Sequence, residues 1–84
     1  MYFYVYLICA KNINNKLISY VGYTKNINNR LKQHNSSTGA KFTKGRKWKL
    51  FYKKRFQTKK EAMQYEYKLK KNQSMRNKIK EKFK

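Results

Sequence analysis

Apolar and polar positions are distributed unevenly along these 84 residues, and the pattern predicts six elements. Residues 1–10 are almost wholly apolar and rich in aromatic and β-branched types, which reads as a strand buried on both faces. Alternation puts Tyr2, Tyr4, Tyr6 and Ile8 on one face and Phe3, Val5, Leu7 and Cys9 on the other. Residues 11–16, with three Asn, form a turn. Residues 17–23 form a second strand, so the two make an antiparallel hairpin in which Tyr6 and Tyr20 can point to one face. A helix follows, capped by Thr24 or Asn26 and running to about residue 35. Ile27 and Leu31 face the core, while Arg30 and His34 share a neighbouring face one turn apart. Residues 36–47 read as a polar, basic loop. Residues 48–56 read as a third strand, with Trp48, Leu50 and Tyr52 on one side and Phe51 on the other. Thr58-Lys59-Lys60-Glu61 is a capping box that opens a second helix. Its apolar face is Ala62, Met63, Tyr65 and Leu69, with Glu66 inside that face. Gln73 and Ser74 break the pattern, and residues 75–83 form a last, very basic helix. The expected fold is α/β, with order β-β-α-β-α-α and a small, mainly antiparallel three-stranded sheet flanked by helices.

A chain of this length makes a single domain over residues 1–84. It buries only roughly 60% of its unfolded surface, so the core is small. One Trp, eight Tyr and five Phe partly offset this, because each ring buries a large apolar area.

Charge sets the partner class. Twenty-three Lys and Arg stand against three acidic residues, a net charge of +20. The abundance of Lys and Asn suits an AT-rich genome and accounts for part of the lysine count, but drift of that kind would have supplied acids too. Basic residues interleaved with aromatic ones are the footprint of nucleic-acid binding. Cys9, alone in the chain, can form neither an internal disulfide nor a Cys-based zinc site, and its apolar strand marks it as a core residue. The first apolar run is too short to span a bilayer and lacks the basic leader and cleavage pattern of a signal peptide. The expectation is an intracellular protein, in the cytoplasm or nucleoid, or in the nucleus or a viral replication site if the source is eukaryotic or viral, with DNA as partner, RNA as the second choice, an unidentified protein partner left open, and no membrane.

Candidate chemistry gathers around Ser19-Tyr20-Val21-Gly22-Tyr23-Thr24, read as a strand end turning into a helix at Gly22. Tyr20, Arg30 and His34 then bring a phenol, a guanidinium and an imidazole near one spot. A carboxylate on an apolar face needs a reason, because leaving it unpaired there costs several kcal/mol. Glu66 is either paired with a nearby lysine or a ligand for a hard cation, since one carboxylate with waters and a phosphate oxygen can hold Mg²⁺. Tyr6 and Tyr20 are either core rings or phenols whose pKa, about 10 when unperturbed, is lowered by nearby cations. Arg30 is either a surface residue or a phosphate clamp with its planar fork. His34 either caps the helix end or pairs with the same phosphate.

Taken together, Tyr4-Val5-Tyr6, Tyr20-Val21-Gly22, Arg30, His34-Asn35 and Glu66 resemble the GIY-YIG nuclease superfamily. The runs 30–35, 39–46 and 61–71 resemble its Slx1-like branch and the small stand-alone bacterial proteins related to it. The resemblance covers about residues 2–71. Tyr4 stands where the first motif has Gly, so the name motif is degenerate here.

The resemblance implies a metal-dependent endonuclease that hydrolyses phosphodiester bonds. Glu66 would bind one Mg²⁺ or Mn²⁺. One of Tyr6 and Tyr20 would help activate the attacking water, and the other would orient it or support the scissile phosphate. Arg30 would stabilise developing negative charge, His34 would assist the phosphate or the proton relay, and Gly22 would keep the turn tight. A metal and an Arg at a pentacovalent phosphorus place electrostatic stabilisation where charge spreads. Lys41, Lys44, Arg46 and Lys47 are expected to hold the nucleic-acid backbone. With no reading helix or wing in view, sequence specificity is expected to be low and the choice of branched, flap or junction DNA structure-directed. The competing expectation is a basic nucleic-acid-binding module that keeps the fold without catalysis.

Overall fold

A computed structural model describes residues 2–36 and 46–82. Strand β1 (Phe3–Lys11) pairs with β2 (Leu17–Thr24) and β3 (Lys49–Phe56), both antiparallel, in the order β2-β1-β3. Helix α1 (Ile27–Asn35) follows β2, and α2 (Lys59–Lys71) and α3 (Gln73–Lys82) follow β3. The element order is the expected one.

β1 is the central strand because it alone has no polar face. Val5, Leu7 and Cys9 join Val21, Ala62 and Leu69 in a core under α2 and α3. Tyr6, Ile8 and Ala10 join Trp48 in a second core, where Ile27 and Leu31 of α1 pack. The hairpin closes through Asn12, whose Oδ1 accepts from the backbone N–H of Asn14 at 2.9 Å and of Lys16 at 3.0 Å. Asn15 takes a left-handed φ of 62°, a conformation Asn tolerates better than bulkier residues.

Asn26, rather than Thr24, caps α1, accepting from the Asn29 N–H at 3.0 Å. Thr58 caps α2 as its capping box predicts, accepting from the Glu61 N–H at 3.2 Å. The inward stripe of α2 is Ala62, Tyr65, Glu66 and Leu69. Met63, expected on that stripe, is 47% exposed, because one residue past Ala62 turns it about 100° away. The break between the last two helices is a single residue. Asn72 ends α2, and its Oδ1 accepts from the Met75 N–H at 3.0 Å, so α3 starts at Gln73.

β3 departs from simple alternation. Leu7 pairs with Tyr52, but Ile8 pairs with Leu50, so Phe51 is the extra residue of a β-bulge. Trp48 and Leu50 share one side as expected, the α1 face, whereas Tyr52 packs with Phe51 against the α2/α3 core. The expected side for Tyr52 is thus reversed. There its hydroxyl lies 2.8 Å from that of Tyr65.

Candidate active site

Tyr6 of β1 and Tyr20 of β2 both project from the α1 face of the sheet, as the hairpin register requires. His34, in the last turn of α1, reaches into the space between them and is 0% exposed. Tyr6 Oη lies 2.9 Å from His34 Nε2. The Tyr20 ring centroid lies 5.1 Å from that of His34 and 6.4 Å from that of Trp48. His34 therefore does not sit at the exposed end of its helix; its polar neighbour is a phenol.

The end of α1 is held to the sheet by Asn35. Its Oδ1 accepts from the Trp48 N–H at 2.6 Å, and its Nδ2 donates to the Trp48 carbonyl at 3.1 Å. This side-chain amide pairs with the residue just before β3 as a neighbouring strand would, fixing where His34 enters the face. Asn35 stands within the quoted motif, yet its spacing alone does not disclose that role.

Gly22 is not a turn residue. It lies within β2, directly opposite Tyr6. A Cβ at that position would fall 2.4 Å from Tyr6 Oη and 2.7 Å from Tyr6 Cζ. The missing side chain is the space that the phenol occupies.

Electrostatics separate the two partners of the Tyr6–His34 contact. Burial raises the Tyr6 pKa above its ordinary value, the reverse of the lowering by cations expected of a catalytic phenol. The Arg30 guanidinium opposes that rise, and the nearby Tyr20 and Glu66 add to it. Burial, and then the positive charge of Arg30, lower the His34 pKa, so the imidazole is neutral at pH 7. Arg30 Nη1 donates to Gln33 Oε1 at 2.9 Å, which steadies the guanidinium along its own helix.

Glu66 approaches from α2 with its side chain 17% exposed and its Oε1 3.2 Å from Lys70 Nζ. The lysine partner anticipated as the ordinary explanation is present. Lys70 itself is 50% exposed. Such i,i+4 pairs contribute only about 0.3–0.5 kcal/mol, so this one is a weak competitor for a divalent cation. Among the described residues, no three His, Cys, Asp or Glu side chains cluster as a metal cage. A lone carboxylate suits Mg²⁺, which keeps several waters and takes its other ligands from substrate phosphate. The donor set fits that ion and excludes a closed structural site.

The basic residues expected to hold the backbone divide. Lys41 and Lys44 lie outside the described residues. Arg46 and Lys47 line a cleft of about 1150 Å³ together with Cys9 and Phe51, at the hairpin end and toward the α3 side of the sheet. They do not gather around Tyr6. Cys9 behaves as a core thiol, its pKa pushed up to about 11 by burial.

No helix among the described residues is long and apolar enough to cross a membrane. The GIY-YIG catalytic domain matches residues 2–80. A UPF0213 protein of Bacillus licheniformis is 57% identical over 53 residues, covering 62% of this chain and 55% of that protein. A UPF0213 protein of Oceanobacillus iheyensis is 41% identical over 68 residues, 80% of this chain and 74% of its own length. The solution NMR structure of a UPF0213 protein from Bacillus halodurans matches 99% of this chain and 86% of its own, with a TM-score of 0.50 and 32% identity.

Proposed function

Because the chain belongs to the GIY-YIG family of catalytic domains, with UPF0213 proteins as its relatives, we propose that it is a divalent-metal-dependent endonuclease acting on DNA. Its choice of substrate is structure-directed, toward branched, flap or junction DNA, with low sequence specificity. The observation that carries this reading is the 2.9 Å contact between Tyr6 Oη and His34 Nε2. A buried phenol against a neutral imidazole, with Arg30 alongside, is a proton path in a face that otherwise needs only apolar packing.

The roles follow from the chemistry of these groups. In the tautomer protonated on Nδ1, His34 Nε2 accepts the Tyr6 hydroxyl hydrogen. As a water oxygen bonds to phosphorus, its proton passes to Tyr6 Oη and the phenolic proton moves to His34. The P–O bond to the leaving sugar oxygen breaks, and that oxygen takes a proton from solvent. Tyr20, half-buried at the β2 edge, orients the water or the phosphate. Arg30 stabilises charge on the phosphoryl oxygens. Glu66 would hold Mg²⁺ or Mn²⁺, whose charge supplies further stabilisation at the same oxygens.

The Glu66–Lys70 pair favours one alternative, a binding module in which Glu66 is only a structural partner of Lys70. Labelled flap, fork, four-way-junction, duplex and single-stranded DNA, incubated with Mg²⁺ or Mn²⁺, separate the two. The nuclease reading expects divalent-dependent cuts that Glu66→Ala and Tyr20→Phe abolish while binding persists. Tight binding without cutting, identical in Glu66→Ala, would establish the module instead.

A further inference from the structure

The β3 bulge has a consequence for the site face. Beyond Phe51 the alternation of β3 is inverted, so Lys53 pairs with Tyr6 and Arg55 pairs with Tyr4. Directly opposed residues of antiparallel strands share a face. Lys53 and Arg55 therefore stand on the same side of the sheet as Tyr6, and Lys54 stands on the other. Ring contacts agree with this. The Arg55 guanidinium lies 4.4 Å from the ring centroid of Tyr2, on the Tyr4–Tyr6 side, and Lys54 Nζ lies 4.9 Å from that of Tyr65, on α2. Without the extra residue, Lys54 and Phe56 would face the site, and Lys53 and Arg55 would point at α2.

We propose that Lys53 and Arg55 form a phosphate track beside Tyr6, which carries the backbone of the DNA strand leading away from the cleavage position. Both side chains are exposed. No acidic residue precedes Glu61 in the sequence, so the three strands and α1 hold no carboxylate to neutralise the track. Successive same-face residues on a strand lie about 6.6 Å apart, close to the spacing of neighbouring phosphates in an extended strand. Arg55 is further steadied by Tyr2, which limits the freedom it loses on binding. Bulges commonly re-aim side chains beside active sites, and this one delivers two cations to the face of Tyr6.

The track rests on the nuclease reading only in taking the Tyr6 face as the substrate face, and its test needs no cleavage. Binding of a fluorescein-labelled flap DNA is followed by anisotropy across a salt series with chelator present. The variant Lys53→Gln/Arg55→Gln is compared with Lys49→Gln/Lys54→Gln. The control removes the same charge from the same strand on the opposite face, since Lys49 pairs with Cys9. Circular dichroism confirms that both variants are folded. Losing two phosphate contacts should reduce the slope of log K against log salt by roughly 1.4–1.8 in the first variant, with a much smaller change in the control. Equal changes in both variants, or an unmoved slope in the first, would overturn the track. If the slope falls as expected while the parent protein never cuts DNA, the track stands and the nuclease reading fails. If DNA is cut but the slope is unmoved, the reverse holds.

Discussion

The two faces of this sheet are built from the same three strands and do opposite work. Toward α2 and α3, Val5, Leu7 and Cys9 meet Ala62 and Leu69 in a wholly apolar layer. Toward α1, one residue along in each case, Tyr6, Ile8 and Ala10 meet Trp48, Tyr20 and the buried His34. The first layer supplies stability, and the Tyr52 and Tyr65 hydroxyls packed against it pair with each other at 2.8 Å. The second buries a phenol and an imidazole in contact with each other. In a chain with this small a core, the apolar layer must support the polar one.

Breaking the apolar layer should cost the most stability. Leu69→Ala removes the centre of the apolar layer and should destabilise by about 2–5 kcal/mol in chemical denaturation. The molecules that remain folded should cleave DNA normally, because Leu69 belongs to the core under α2 and α3 and Tyr6 to the other one. Gly22→Ala inverts that result. Its added methyl displaces the Tyr6 ring, for about 1–3 kcal/mol of stability. Cleavage should fall by about 100-fold or more, since ångström-scale misplacement of a reacting group has that effect.

Buried titratable groups make stability depend on pH. The folded His34 pKa lies below its ordinary value, so the unfolded chain binds the proton more readily. That contribution is complete above about pH 6.5 and is lost as pH falls through the folded pKa. The folded Tyr6 pKa lies above its ordinary value, so its contribution is complete below about pH 10 and is lost as pH rises through the folded pKa. The buried Cys9 thiol, pushed up to about 11, begins to lose its contribution above about pH 9, so denaturant midpoints should hold a plateau from about pH 6.5 to about pH 9, and His34→Gln should flatten the acid arm. The smallest effect is expected from Tyr65→Phe, which deletes the Tyr52–Tyr65 hydroxyl contact on the stable face for about 1 kcal/mol, leaving cleavage unchanged.

Much of this was legible in the chain. β1 announces itself because a strand covered on both faces must be apolar at every position. The Tyr6–Tyr20 face follows from hairpin alternation, and the approach of Arg30 and His34 follows from their four-residue spacing. The bulge was not legible. Lys49–Phe56 carries no Gly or Pro to mark it, and its position depends on pairing with β1, which a single strand's pattern does not contain. The error at Tyr52 and the unforeseen placement of Lys53 and Arg55 share that cause. Gly22 reads as a turn because a glycine at a strand–helix boundary suggests one, whereas its requirement is steric and comes from a residue on the neighbouring strand. Met63 was a matter of one residue's rotation on α2.

Under the proposed mechanism the Tyr6 hydroxyl carries a proton, while an equivalent phenol on the opposite face, Tyr65, serves only packing. The most direct measurement compares single-turnover cleavage of one flap substrate by Tyr6→Phe and Tyr65→Phe, each shown by circular dichroism to be folded under the assay conditions. Loss of a proton-transfer group should slow Tyr6→Phe by about 100-fold or more and leave Tyr65→Phe at the parent rate. Parent-like cleavage by Tyr6→Phe, or equal losses in both variants, would rule out proton transfer through Tyr6.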